Sequence, residues 1–430
     1  MQITFIFFLA RIPLLPTKCK VGEELPLAYA KISLTFLLTE HMFAFLLKRW
    51  YDYPRVGGGV MKLTLTAKVK IHPTIEQILL LQETVHAYRK ACNFVSRLIY
   101  DSTILVKAKL HKMTYQNLRS NFGLRSQMAQ SVLRTVLAKY KTVKSNGHGS
   151  SLIRFKKPQY DLVFNRDYSL VKGLFSVNTL EGRIKVPFET KGLEHYFDGT
   201  WKFGTAKLVN KYGKWFLHIP VTKDFKETEL TEIDKVVGVD LGINFLATAY
   251  DSNDQTTFFK GRQIKHKRGK YKRLRKELQQ KQTASARRRL KEVGQRENRW
   301  MQDVNHCISK ALVEKYKAKT LFVLEDLTGI RKATENVRLY DRYQMVSWAF
   351  YDLRKKMEYK ALKQQSKVIA VDPKYTSQTC PKCSHIEKAN RNKKTHTFCC
   401  ITCQYTSNDD RVGAMNLQRK GIEYIAEGTT

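Results

Sequence analysis

The chain has 430 residues, enough for two or three domains with apolar cores. It carries 77 Lys and Arg against 38 Asp and Glu, a formal charge of +39, so the expected partner is a polyanion, nucleic acid before an acidic membrane or protein. Four of the eight cysteines (Cys19, Cys92, Cys307 and Cys399) are scattered, which argues against a disulfide scaffold and for a reducing interior.

The first sixty residues differ from the rest, with 7 of the 77 basic residues. Ile3–Ala10 is apolar like a signal segment but has no basic residue before it. Leu25–Leu47 is broken by Lys31, Glu40 and His41 and makes a poor membrane span. Met61 is therefore the expected functional start, with residues 1–60 an atypical extension. The chain is expected in the cytoplasm, with no membrane partner.

From Met61 to Lys70 apolar residues alternate with polar ones, predicting a half-buried strand. Thr74 and Gln77 form a capping box that opens a helix running to about Val106, and a second helix is expected from Thr114 to Thr142. From Leu152 to Val221 the period shortens to that of strands, with hairpins at Glu181-Gly182 and Tyr212-Gly213. Residues 61–234 thus read as a wedge-like β-barrel with a helical insertion over about 74–145.

Beyond Lys235 three strands follow closely: Val236–Asp240, Phe245–Tyr250 and Thr256–Phe259. Two helices, within about 260–318, precede a strand at Leu321–Glu325; a helix at Val346–Gln364 precedes another at Val368–Val371. Three antiparallel strands followed by helix–strand alternation is the order of an RNase H-like fold. The expected fold class is therefore multidomain α+β: the barrel, then an RNase H-like α/β domain over 235–430.

Inserted in that second domain, at about 376–406, are Cys380-Pro-Lys-Cys383 and Cys400-Ile-Thr-Cys403, separated by 16 residues. Two such knuckles supply four thiolates to one Zn²⁺ and leave no open position, so the zinc is structural. Cys399 is the alternative ligand, but the register that begins at Phe398 favours Cys400. Asp240 and Glu325 end apolar strands, and Asp410 falls in the first turn of the last helix. In an RNase H-like sheet these three places converge, where the carboxylates can hold two Mg²⁺ roughly 4 Å apart for phosphodiester hydrolysis. Taken singly, each acid could instead be a turn residue or a helix cap.

The motifs Val239-Asp240-Leu241-Gly242, Leu324-Glu325-Asp326-Leu327, Tyr375–Cys383, Phe398-x-Cys400-x-x-Cys403, Asn408–Asn416 and Ser347-Trp348-Ala349-Phe350 together resemble the TnpB family of transposon-encoded nucleases. The resemblance covers Met61–Gly421, about five-sixths of the chain. It implies a RuvC-like, Mg²⁺-dependent DNA endonuclease with Asp240, Glu325 and, rather than Asp409, Asp410 as its acids. It also implies a guide RNA from the transposon end, a double-stranded DNA target beside a short flanking motif, and a transposase of the same element as a further partner. The family often has Gly after each knuckle, where Ser384 and Gln404 stand here. A catalytically idle RNA-guided regulator and an accessory transposase are the alternatives; the intact acidic trio disfavours the first.

Between Lys260 and Arg299 stand 17 Lys or Arg and three acids. Lys265, Lys267, Arg268, Lys270, Lys272, Arg273, Arg287, Arg288 and Arg289 are expected to grip nucleic-acid backbone, with Arg89, Lys90, Arg97, Lys107, Lys109 and Lys112 forming an opposite wall.

Overall fold

A computed structural model describes residues 59–147, 151–157, 159–211, 213–327 and 350–429. Residues 1–58 of the proposed N-terminal extension, the Tyr212 half of one hairpin turn and the Ser347-Trp348-Ala349 helix start lie outside them; Val60, the last residue of that extension, is paired with Lys226 in the first strand.

The alternating segment forms β1 (Val60–Ile71), and its apolar partners Ala67, Val69 and Ile71 are buried. Thr74 then caps α1 (Ile75–Ser102): its hydroxyl accepts from the Gln77 amide while the Gln77 side chain accepts from the Thr74 amide, as the sequence predicts. The predicted second helix is two helices, α2 (Lys107–Ser120) and α3 (Ser126–Ser145). Gly123 separates them at φ +62°, a left-handed conformation that ends a helix at little cost only for glycine.

Eight strands follow: β2 (Gln159–Leu162), β3 (Tyr168–Val171), β4 (Leu174–Asn178), β5 (Arg183–Val186), β6 (Phe188–Glu189), β7 (Lys202–Phe203), β8 (Ala206–Lys211) and β9 (Lys214–Lys226). They do not make the expected barrel. One sheet has the order β2-β8-β9-β1-β6 with β7 also on β9, and β3-β4-β5 is a separate sheet. Closure would require β2 to pair with β6, which have four and two residues. The apolar face is covered instead by helices and the small sheet, through Leu81, Val85, Val132, Phe175, Val177 and their neighbours.

The second large sheet contains β10 (Lys235–Asp240), β11 (Phe245–Tyr250), β12 (Thr256–Lys260), β13 (Thr320–Glu325) and β14 (Lys367–Val371), in the order β12-β11-β10-β13-β14. The first three are antiparallel, and β13 and β14 join β10 in parallel. Because β10 and β13 are covered on both faces, they are uniformly apolar instead of alternating. Val237, Val239, Phe322 and Leu324 pack toward α5 (Ala284–Tyr316) and α6 (Phe350–Lys363). Val236, Leu321 and Val323 pack toward α7 (Asp409–Thr429). α4 (Arg262–Lys281) and α5 form a helical hairpin after β12. The cysteine segment carries β15 (Arg391–Asn392), β16 (Thr397–Cys399) and β17 (Thr406–Asn408), the last running directly into α7.

Candidate catalytic and metal-binding site

Parallel pairing sets the site. Val239 lies opposite Leu324, so Asp240 and Glu325, the next residues, stand at the same edge of adjacent strands. α7 crosses that edge on the β10 side, and its first turn supplies Asp409 and Asp410. The approach is close: a Cβ on Gly413 would lie 3.2 Å from Asp240 Cγ, and one on Gly242 would lie 3.9 Å from Asp410 Oδ1.

Burial raises the Asp240 carboxyl well above the usual carboxylate range, and the charges of Glu325 and Asp410 push it further. Glu325 is also raised by burial, against which the Thr376 hydroxyl donates to Oε1 at 2.6 Å. Asp410 is raised by burial and then by Asp409. Arg391 opposes the rise at all three acids. Asp410 is buried and Asp240 and Glu325 are half-buried, and three carboxylates at one edge, two of which raise the proton affinity of Asp240, are the kind of donor set that a hard divalent cation takes.

Asp409 is differently placed. It is 1% exposed, its Oδ2 accepts from Arg391 Nε at 2.8 Å, and His396 Nδ1 stands 3.6 Å away. Arg391 Nη2 is also 3.8 Å from Asp410 Oδ1. The cysteine segment thus reaches the acidic edge through Thr376, Arg391 and His396. No sequence pattern singled out Arg391, because its position against α7 depends on how the segment folds back.

The Cys380, Cys383, Cys400 and Cys403 sulfurs all lie within 4.8 Å of one another, with Cys380–Cys403 at 3.6 Å and Cys383–Cys400 at 3.5 Å. Tetrahedral bonds of about 2.3 Å to Zn²⁺ imply sulfurs roughly 3.8 Å apart, so the cluster fits such an ion. Among the described residues no other group of three or more metal-type ligands is that tight. Cys399 instead contacts Gln404 and Thr406. Ser384 and Gln404 take φ +62° and +57°, the conformations for which glycine is the easier residue.

On the α4–α5 hairpin, Lys265, Lys267, Lys270, Arg273, Arg287, Arg288 and Arg289 are exposed, and Lys272 is half-buried. Lys267 lies over the Trp300 ring at 4.4 Å and Arg289 pairs with Glu292 at 3.2 Å. Arg268 is buried instead, 3.9 Å from Glu297, which also bonds Arg275. Sequence reading grouped Arg268 with its exposed neighbours and did not single out Glu297, since a charge block gives no sign of which member turns inward. No described helix is long and apolar enough to cross a membrane.

Two family models match the chain: one described as "Probable transposase" over residues 218–330, and one described as "Cas12f1-like, TNB domain" over 350–417. A protein named CRISPR-associated endodeoxyribonuclease Cas12f1, from Syntrophomonas palmitatica, is 29% identical over 282 residues, 60% of this chain and 55% of that protein. The TnpB-like protein MJ0751 of Methanocaldococcus jannaschii is 34% identical over 128 residues, 29% of this chain and 44% of that protein. The chain spans about half the length of these relatives. A solved Cas12f1, in a complex described as Cas12f1-sgRNA-target DNA, shares the fold at TM-score 0.54 and 14% identity, covering 83% of this chain and 99% of that one. The transposase match contains Asp240 and Glu325 and the TNB match contains Asp410 and the four cysteines, so the acids and cysteines by which the chain resembles the TnpB family fall within the matched segments.

Proposed function

We propose that the chain is an RNA-guided DNA endonuclease encoded by a transposable element, which binds a guide RNA from the element's end and cuts double-stranded DNA beside a short flanking motif. The observation that carries this reading is the meeting of Asp240, Glu325 and Asp410 at one edge of the second sheet. The order β12-β11-β10-β13-β14, with α7 over β10, supports an RNase H-like, RuvC-type domain over 235–430 following a wedge-like domain over 61–234. The names of the endodeoxyribonuclease relative and of the guide-RNA and target-DNA complex support the same reading.

Asp240, Glu325 and Asp410 would hold two Mg²⁺. Those ions supply a nucleophilic water and charge stabilisation at the leaving oxygen. The residues themselves hold a concentrated negative charge that only cations can approach, so the DNA phosphate depends on those cations for access. Thr376 fixes the Glu325 carboxylate by its hydroxyl, and Arg391 binds the Asp409 carboxylate beside Asp410. Cys380, Cys383, Cys400 and Cys403 would hold Zn²⁺, which supplies no reaction chemistry and fixes the segment that carries Arg391. The exposed cations of α4 and α5 would neutralise guide and target phosphates.

The test is cleavage of a plasmid library carrying a guide-matched target beside randomised sequence. Protein starting at Met61 is co-expressed with the DNA that flanks its gene, supplied with Mg²⁺, and compared with Asp240→Ala. Cleavage beside one enriched motif, lost in the variant, is expected. RNA-dependent binding without cutting by the unsubstituted protein would overturn the nuclease reading.

A further inference from the structure

Away from the acidic edge, a cavity of about 470 Å³ opens between α1, α3 and the strands β2 and β8. Its rim carries Arg89, Lys139, Lys156, Lys157 and Lys207. The floor is of another character. Tyr88, 1% exposed and packed on Tyr160, lies beneath it, half-buried Phe155 stands at the wall, and the Asp161 carboxyl lines the space. Asp161 is fixed there: Thr135 donates to its Oδ2 at 2.6 Å, the Tyr88 hydroxyl pairs with Thr135 at 2.9 Å, and Lys207 lies 3.8 Å from Oδ1.

That division selects the ligand. A phosphate seated on the floor would meet the Asp161 carboxylate, so phosphates belong on the five-cation rim. A flat ring can lie against Phe155, and the Asp161 carboxylate beside it can accept hydrogen bonds from an exocyclic amine. The volume falls within the range of small-ligand cavities and suits one base with its sugar. We propose that this cavity captures a single unpaired base bearing an exocyclic amine (adenine, cytosine or guanine rather than uracil) from the RNA partner. RNA is favoured over duplex DNA because loops and bulges already present unstacked bases, whereas extracting one from a duplex costs a few kcal/mol. The inference rests on the reading of the chain as an RNA-guided protein, and it adds a base-sensitive contact to a surface otherwise suited to backbone.

The experiment uses the chain from Met61 and fluorescence anisotropy with 12-nucleotide oligo(A), oligo(C) and oligo(U) RNA. The unsubstituted protein should bind the A and C oligomers at least about fivefold more tightly than U, the lower end of discrimination by hydrogen-bonded base pairing to a side chain. Asp161→Asn, which keeps the shape and can still accept from Thr135, should bring the three affinities within about twofold of one another while leaving the thermal midpoint unchanged. Lys139→Ala with Lys157→Ala should weaken all three alike and lower the salt slope by up to about 1.4, for two single-strand phosphate contacts. RNA binding with no preference, or with a preference that Asp161→Asn leaves intact, overturns the pocket and spares the RNA-guided reading. No RNA binding by the unsubstituted protein overturns both. The same oligomers as DNA separate the sources: equal or tighter binding of DNA, with the same dependence on Asp161, would reassign the site to a displaced DNA strand and overturn its assignment to RNA.

Discussion

Asp240 sits among like charges inside the protein, and the direction of its proton affinity follows from that placement. With no cation bound, the ionised carboxylate is unfavourable in the folded chain relative to the unfolded one. The sign is the reverse of a salt-bridged acid: the cost is present above the raised folded pKa and is relieved as pH falls through it. Asp240→Asn removes that cost while leaving the shape. In EDTA the variant should melt about 2–4 °C above the parent at pH 7.5, with the gap shrinking at pH 5, and it should lose cleavage. Adding Mg²⁺ should raise the parent's midpoint more than the variant's. A variant that melts below its parent at every pH in EDTA would show that the carboxylate is not strained. Asp240 and Glu325 stand out in the sequence because each ends an apolar run with a charge. Arg391 does not: it meets Asp409 only after the cysteine segment has folded across the start of α7.

At the scale of elements, the site depends on how closely α7 lies on β10. A Cβ on Gly238 would come 2.0 Å from the Ala414 carbonyl oxygen and 2.5 Å from the Gln418 amide nitrogen, both backbone atoms that no side-chain rotation can move. Gly238→Ala must therefore lift the helix that carries Asp410. Equilibrium urea unfolding should show a loss of more than about 3 kcal/mol, and cleavage should fall even where the protein remains folded. Gly269→Ala is the matched control: a Cβ there meets nothing within 4 Å, and alanine in a helix should add roughly 0.5–1 kcal/mol. Similar urea midpoints for the two variants would remove the contact from the argument. The run Val236–Val239 betrays a strand buried on both faces, so this sheet is legible from sequence. The first sheet is less so, because hairpins identify neighbouring strands but not whether the edge strands meet. Two edges as short as β2 and β6 leave it open.

For the whole molecule, a charge of +39 implies a large polyanion but does not say which cations touch it. The helical hairpin shows why counting is insufficient. Arg268 and Arg287–Arg289 belong to the same basic block, yet Arg268 is buried on Glu297 while the triplet is exposed. Surface pairing such as Arg289–Glu292 contributes little to stability, whereas removing one partner of a buried pair leaves a charge uncompensated. Arg275 still bonds Glu297 when Arg268 is absent, so the loss should be partial. Arg268→Ala should therefore cost about 2 kcal/mol in thermal or urea unfolding and leave the salt dependence of nucleic-acid binding unchanged. Replacing Arg287, Arg288 and Arg289 together by alanine should do the opposite. The thermal midpoint should stay within about 1 °C of the parent, while the slope of log affinity against log salt for duplex DNA becomes shallower by up to about 2.7, for three duplex phosphate contacts. Titrations at three or four salt concentrations, run beside melting curves, separate the two outcomes. A triplet variant with an unchanged slope would place the polyanion on another face, and an Arg268→Ala slope as shallow as the triplet's would mean that the clasp opens when nucleic acid binds.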